Sequence, residues 1–208
     1  MIDQATLFTY IAILFGFVLI PGPAVLLTLA RASSSGTRVG IATSLGIAVG
    51  DIIHTLMAVL GISAIILASA FMFSLIKYIG AGYLIYLGIR ALLERTPELN
   101  ETQAIKLSPR QAFRQATLAE VLNPKSALFF LAFLPQFVQP ENGAVALQLT
   151  TLGLLFVLIG LLSTVGFALA GGGVGRFLRK NPKILKLQGK VVGCIYCGVG
   201  IRLALQEK

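Results

Sequence analysis

Asp51 and His54 stand three residues apart in an otherwise apolar stretch, so on a helix they share one face. A carboxylate at the centre of a bilayer costs about 2.5 to 3.5 kcal/mol to insert, and Lys125, inside another apolar stretch, costs about as much. Each therefore requires a partner, a neutral form or water. Two readings of Asp51 and Lys125 stay open: an ion pair that only fixes two helices, or a couple that exchanges a proton or a substrate charge as the protein works. His54 can relay protons, because imidazole ordinarily titrates near neutral pH, or it can serve as hydrogen-bonded structure. Glu120 lies one turn before Pro124, close enough to the expected cytoplasmic interface to stay solvated, and is the lesser acidic candidate.

Two proline breaks accompany these residues. Pro21-Gly22-Pro23 falls inside the first apolar run and Asn123-Pro124 inside the fourth. Proline lacks an amide hydrogen and clashes with the preceding turn, so each must kink or unwind its helix and free carbonyl groups. Irregular backbone is tolerated at membrane depth only where it is packed in protein or lines a wet cavity. One such proline reads as a packing kink; a matched pair points to a site. Gly46 and Gly50 form a small-residue stripe that admits a close helix, from this chain or from a second copy in a homodimer. Phe129, Phe130, Phe133 and Phe137 cover one side of the fourth run and read as packing or lipid contacts. Cys194-Ile195-Tyr196-Cys197 has the CxxC form of thiol exchange or metal binding. With no second cysteine pair and the histidine remote, both thiols read as small apolar groups. No phosphate-binding glycine loop or enzyme carboxylate pair occurs, so the sequence implies no nucleotide, cofactor or metal.

The elements that must hold these residues follow from composition. Of 208 residues, 56% are apolar and 12% charged, which an ordinary water-soluble domain does not reach. Apolar runs lie at about 7–30, 41–69, 71–93, 113–138, 144–170 and 187–205, each near the roughly 20 residues needed to cross hydrocarbon. The second and third divide near Ala68 to Phe71. The fourth helix starts ahead of its run, since Ser108, Pro109 and Gln111 supply an N-cap, a first-turn proline and a capping-box partner. The N-terminus lacks a basic leader region, so the first run reads as a retained span. The formal charge of +9 belongs to loops on the cytoplasmic face, against anionic lipid, rather than to a nucleic-acid surface. Arg31, Arg38, the 90–114 segment and the 176–190 segment carry most of the basic residues. The opposite side holds only Lys77, Arg202 and Lys208, so both termini should face outward.

Gly88-Ile89-Arg90-Ala91-Leu92 recurs as Gly200-Ile201-Arg202-Leu203-Ala204, and the two proline breaks also correspond in order. Three spans per copy is an odd number, so the second copy must cross in the opposite sense. The expected fold is an all-α integral membrane protein of six transmembrane helices in an inverted 3+3 repeat. Its parts are residues 1–93, a cytoplasmic linker at 94–112, and residues 113–208. That architecture belongs to transporters.

The segments IPGPAVLLTLARASSSG, SLGIAVGDIIHTLMAVLG, YIGAGYLIYLGIRAL and LNPKSALFFLAFLPQFV, in that order, closely resemble the LysE/RhtB family of amino-acid exporters. The resemblance implies a bacterial inner-membrane carrier, not an enzyme, that expels amino acids or their derivatives using the proton gradient. It maps the site onto Pro21, Gly22, Pro23, Gly50, Asp51, His54, Asn123, Pro124, Lys125 and Gln136, with Pro135 also matched. Ala24 departs from the acidic or amide residue that many members carry after the PGP motif, which counts against cationic substrates. The wider superfamily is similar to cadmium exporters, an alternative left open, and to membrane thiol-redox carriers, which would want cysteines beside the broken-helix prolines. The mechanism implied is alternating access about a midplane cavity. Substrate carboxylate and ammonium meet Lys125, Asp51 and exposed backbone there, and a proton toggles Asp51 through His54.

Overall fold

A computed structural model describes residues 2–18, 23–68, 70–93 and 107–205, and every regular element among them is helical. In chain order these are α1 (Gln4–Val18), α2 (Pro23–Ser35), α3 (Thr37–Ala68), α4 (Ala70–Leu93), α5 (Pro109–Val121), α6 (Pro124–Phe133), α7 (Val145–Lys180) and α8 (Pro182–Leu205). Two short 3-10 turns, Leu134–Phe137 and Pro140–Asn142, join α6 to α7. The side chains of Pro23, Pro124 and Lys125 fall outside the description, as do residues Pro21 and Gly22 and most of the expected 94–112 linker.

The element boundaries have local causes. Gly36, at φ +94°, is the single residue between α2 and α3, and its N–H caps the Ala32 carbonyl at 3.0 Å. Ser108 caps α5 in a full capping box with Gln111. The fourth expected span is two helices, parted at Leu122 and Asn123 as the proline required. One expectation is corrected. The basic segment 176–190 is not a loop: α7 runs to Lys180 and α8 starts at Pro182, because a helix continues past its apolar face until something breaks it, and Pro182 is the first such residue.

Polarity along α3 is inverted relative to a water-soluble helix. Thr43, Ser44, Asp51, His54 and Thr55 are buried, while Leu45, Ile52, Leu56 and Leu60 are exposed at helical spacing. The hydroxyls of Thr43, Ser44 and Thr55 bond back to the carbonyls of Val39, Gly40 and Asp51, so they need no partner from another helix. Such a helix suits a hydrocarbon surround. Thr37–Ile62 and Val145–Ala170, each 26 residues, are long and apolar enough to cross a membrane, and Gln4–Phe15 and Tyr78–Leu93 are shorter apolar helices.

The core forms around α6. Phe129 stacks on Phe133 with centroids 4.6 Å apart, and Phe137 and Phe130 meet Tyr10 and Phe156 edge-on, each at 4.9 Å. The Tyr10 hydroxyl donates to the Leu152 carbonyl at 2.7 Å, tying α1 to α7. Elsewhere α3 packs on α5 and α7, and α4 on α8. The α4–α8 contact is backbone-close: a methyl added to Gly200 would fall 2.8 Å from the Ala81 carbonyl, and one on Gly193 2.8 Å from the Gly88 carbonyl.

Ahead of the first apolar run, Asp3 fastens the N-terminus to the α6–α7 connection. Its carboxylate accepts the Thr6 N–H at 2.9 Å, the Thr6 hydroxyl at 2.7 Å and the Gln139 side-chain amide. These bonds, that of the Thr6 backbone first, hold the Asp3 carboxyl down at about 2. A depressed folded value means that the stabilisation is complete above the ordinary carboxylate range and lost as pH falls through about 2. The Thr6 amide is therefore expected to stay protected from hydrogen exchange down to about pH 3 and to lose protection below it. Asp3→Asn should abolish that acid dependence, and the same acid step in the variant would exclude Asp3 as its cause.

Candidate functional site

The break between α5 and α6 creates the site. In a continuous helix the N–H of residue 124 would bond the carbonyl of residue 120; Pro124 has none. The Glu120 carbonyl takes two other partners instead, the Asn123 N–H at 3.0 Å and Nε2 of His54, from α3, at 2.8 Å. A carbonyl oxygen only accepts, so Nε2 carries the hydrogen. The His54 ring is 1% exposed and stacks on Phe130 at 5.7 Å and 26°. Its other nitrogen, Nδ1, is buried with no hydrogen-bond partner among the described residues.

Asp51 lies one turn before His54 on α3 and is 7% exposed. The Glu120 carboxyl is within Coulombic reach of it. That carboxyl also accepts the Ser126 hydroxyl, so a single hydrogen bond spans the break from the last turn of α5 to the first turn of α6. Glycines allow the approach: a methyl on Gly50 would stand 2.5 Å from Glu120 Cβ and 2.7 Å from its Cγ. Gly46 meets the Phe113 carbonyl in the same way and accepts a 3.1 Å hydrogen bond from the Thr117 hydroxyl on its own carbonyl. The Gly46 and Gly50 stripe thus faces α5 of the same chain.

The structure brings together Gly50, Asp51, His54, Asn123 and the start of α6. Pro23 opens α2, while Pro21 and Gly22 lie outside the described residues, as does the side chain that would complete the Asp51–Lys125 couple. Gln136 sits in the 3-10 turn beyond α6, whose ten residues carry it about 15 Å along the span at 1.5 Å per residue. Glu120 is more central than its sequence position suggested, being partly buried against Gly50 rather than simply solvated. Ser126 was not singled out at all. The signal for Glu120 was present, since Pro124 deprives the carbonyl four residues earlier of its donor. Among the described residues no group of three His, Cys, Asp or Glu is placed to hold a metal ion. Cys197 packs against Gly88 and its thiol donates to the Ile85 carbonyl at 3.8 Å; Cys194 is exposed.

Comparison with known proteins adds a family. The profile described as LysE type translocator matches residues 15–207. An uncharacterized membrane protein of Vibrio cholerae is 34% identical over 188 residues, 90% of this chain and 91% of its own. An uncharacterized membrane protein of Bacillus subtilis is 32% identical over 209 residues, 96% of this chain and 99% of its own. A leucine efflux protein of an Enterobacter strain is 28% identical over 197 residues, 94% of this chain and 93% of its own. No solved structure matches the chain.

Proposed function

We propose, from the premise that this chain belongs to the LysE type translocator family, that it exports a neutral aliphatic amino acid across a bacterial inner membrane in exchange for protons. Family membership makes it a membrane transporter of amino acids rather than an enzyme. The neutral aliphatic class is supported by the leucine efflux relatives and by Ala24, which places no acidic or amide group after the first proline break.

The observation that carries the proposal is the cluster at the α5–α6 break, where the buried Asp51 and His54 of the apolar helix α3 meet the freed carbonyl and the partly buried side chain of Glu120. Ionisable groups are costly in a membrane-embedded protein interior and mark ion or substrate paths there. In the cycle we envisage, the substrate ammonium is met by Asp51 and backbone carbonyls at the break, the substrate carboxylate by Lys125, and proton uptake at Asp51 displaces the ammonium. The two halves of an inverted 3+3 repeat, with both termini outside, rock about this point. Under that symmetry the second span is equivalent to the fifth and the third to the sixth. The packing of α3 on α7 and α4 on α8 is what an axis between equivalent helices would produce and supports the reading. The basic ends of α2, α7 and α8 would rest on anionic cytoplasmic lipid.

The test is amino-acid export from cells loaded with dipeptides. Cells lacking this protein, fed a leucine-containing dipeptide, are expected to accumulate internal leucine well above the parent strain. Dissipating the proton gradient in the parent should reproduce that accumulation. Identical internal pools of every amino acid supplied, with and without the protein, would refute the assignment.

A further inference from the structure

We infer that Nδ1 of His54 is the atom that first takes up the coupled proton and passes it to Asp51, and that the backbone break at Pro124 fixes the ring so that it can. The inference rests on the proton-exchange reading above and adds to it the atom through which Asp51 is protonated and how that is felt by the helices.

The ring's chemistry follows from one hydrogen bond. Because Nε2 faces a carbonyl 2.8 Å away, the neutral ring must hold its hydrogen there and keep its lone pair on Nδ1. The partner carbonyl is available only because residue 124 is proline, so the break selects the tautomer. Nδ1 is then a basic nitrogen, buried and without a hydrogen-bond partner among the described residues. An atom with no exposed surface admits nothing larger than a proton unless helices move.

The ionisable groups around the ring belong to the helices packed against α3. On α3 the neighbouring ionisable group is Asp51; on α5 it is Glu120, with Arg110 and Arg114 of that helix exposed. The ionisable residue of α6 is Lys125, whose side chain lies outside the description, and α7 between Val145 and Ala170 has none. On α2, Arg31 is engaged by the Ala112 carbonyl at 2.8 Å and Gln115 at 3.2 Å. Of the ionisable residues of α4, Lys77, Tyr78, Tyr83, Tyr86 and Arg90, Tyr83 is coupled to Tyr86 and Arg90. Asp51 stands one turn from the ring on the same helix, placed to receive the proton, and Phe130 stacks on the ring.

Protonation also has a mechanical reading. When Nδ1 takes a proton, the Nε2–H bond to the Glu120 carbonyl becomes charge-assisted and about twice as strong. It then clamps α3 to the end of α5; loss of the proton loosens the clamp. Glu120 is thus a positioning residue through its backbone, and its carboxyl, bonded to Ser126, sets the angle at which α6 leaves the break.

His54 is the only histidine in the chain, so selective nitrogen-15 labelling of histidine in the full-length protein in lipid reports this ring alone. The expected result is the Nε2–H form at alkaline pH, with Nδ1 gaining a proton across the pH range in which transport rate changes. The Nδ1–H tautomer, or a ring that stays neutral throughout that range, would overturn the inference. A second arm uses His54→Gln, whose amide N–H can still reach the Glu120 carbonyl but which has no basic nitrogen. In vesicles its accumulation driven by a proton gradient should fall by a much larger factor than its exchange of labelled leucine for unlabelled leucine. Gradient-driven accumulation at the wild-type rate in this variant removes His54 as the proton site and leaves the exporter reading intact. Wild-type vesicles that neither exchange nor accumulate any amino acid would remove the exporter reading itself.

Discussion

Gly46→Leu is expected to leave almost no folded protein in the membrane. A single methyl at this position would collide with the Phe113 carbonyl oxygen, and would stand 2.9 Å from Ala116 Cβ and 3.1 Å from the Thr117 amide nitrogen. Two of those three atoms are backbone, which cannot turn aside as a side chain does. Overfilling a packed interior by a methylene or so costs about 1 to 3 kcal/mol, a large share of the roughly 5 to 15 kcal/mol by which a domain is stable. Leucine adds three further carbons at the same place and would part α3 from α5, breaking the Thr117 to Gly46 hydrogen bond as well. The measurement is the yield of monodisperse detergent-extracted protein. Gly46→Ala should be intermediate, and Gly61→Leu, where an added Cβ meets nothing within 4 Å among the described residues, should match wild type. Full recovery of Gly46→Leu would mean that α3 and α5 are not pressed together there.

Asp51→Asn has the opposite signature, and the contrast is what gives it force. The amide has nearly the shape of the carboxyl but no charge, so helix insertion is spared a cost of about 2.5 to 3.5 kcal/mol. Folding and thermal stability should be kept or improved. Gradient-driven export should fall by about a hundredfold, the lower end of what a positioned proton-transfer group contributes. If Asp51 only pinned helices together through an ion pair, neutralising it would instead leave a buried partner uncompensated and lower yield and transport together. Proton-coupled export at the wild-type rate in reconstituted Asp51→Asn would take Asp51 out of the mechanism.

Local pattern carried most of the architecture. The capping box at Ser108 and the break at Asn123-Pro124 both follow from rules acting within a few residues, and both are found. The α7–α8 junction was misjudged for a related reason. Charge density fell in the wrong place as a guide, since Arg176, Arg179 and Lys180 neither cap nor break a helix, whereas Pro182 does. The site was only half legible. Asp51, His54 and the break stood out by residue type, yet the bond between His54 and the Glu120 carbonyl links positions 66 apart, and no periodicity within one helix encodes which turn of another will lie against it. Glu120 was ranked low because its distance from the interface was judged from sequence position alone. Its burial follows from two glycines on α3 that let α5 come close, and which helix they admit is settled only by packing.

Gly36 has a last consequence. A joint one residue long, itself locked in a left-handed conformation, gives α2 no slack to swivel while α3 stays still. In the cycle proposed above, Pro23 to Ala68 would then tilt as one lever, with the imidazole partway along one arm and Pro23 at the tip of the other. A stroke that loosens the ring from its carbonyl would travel along it without any relay of side chains.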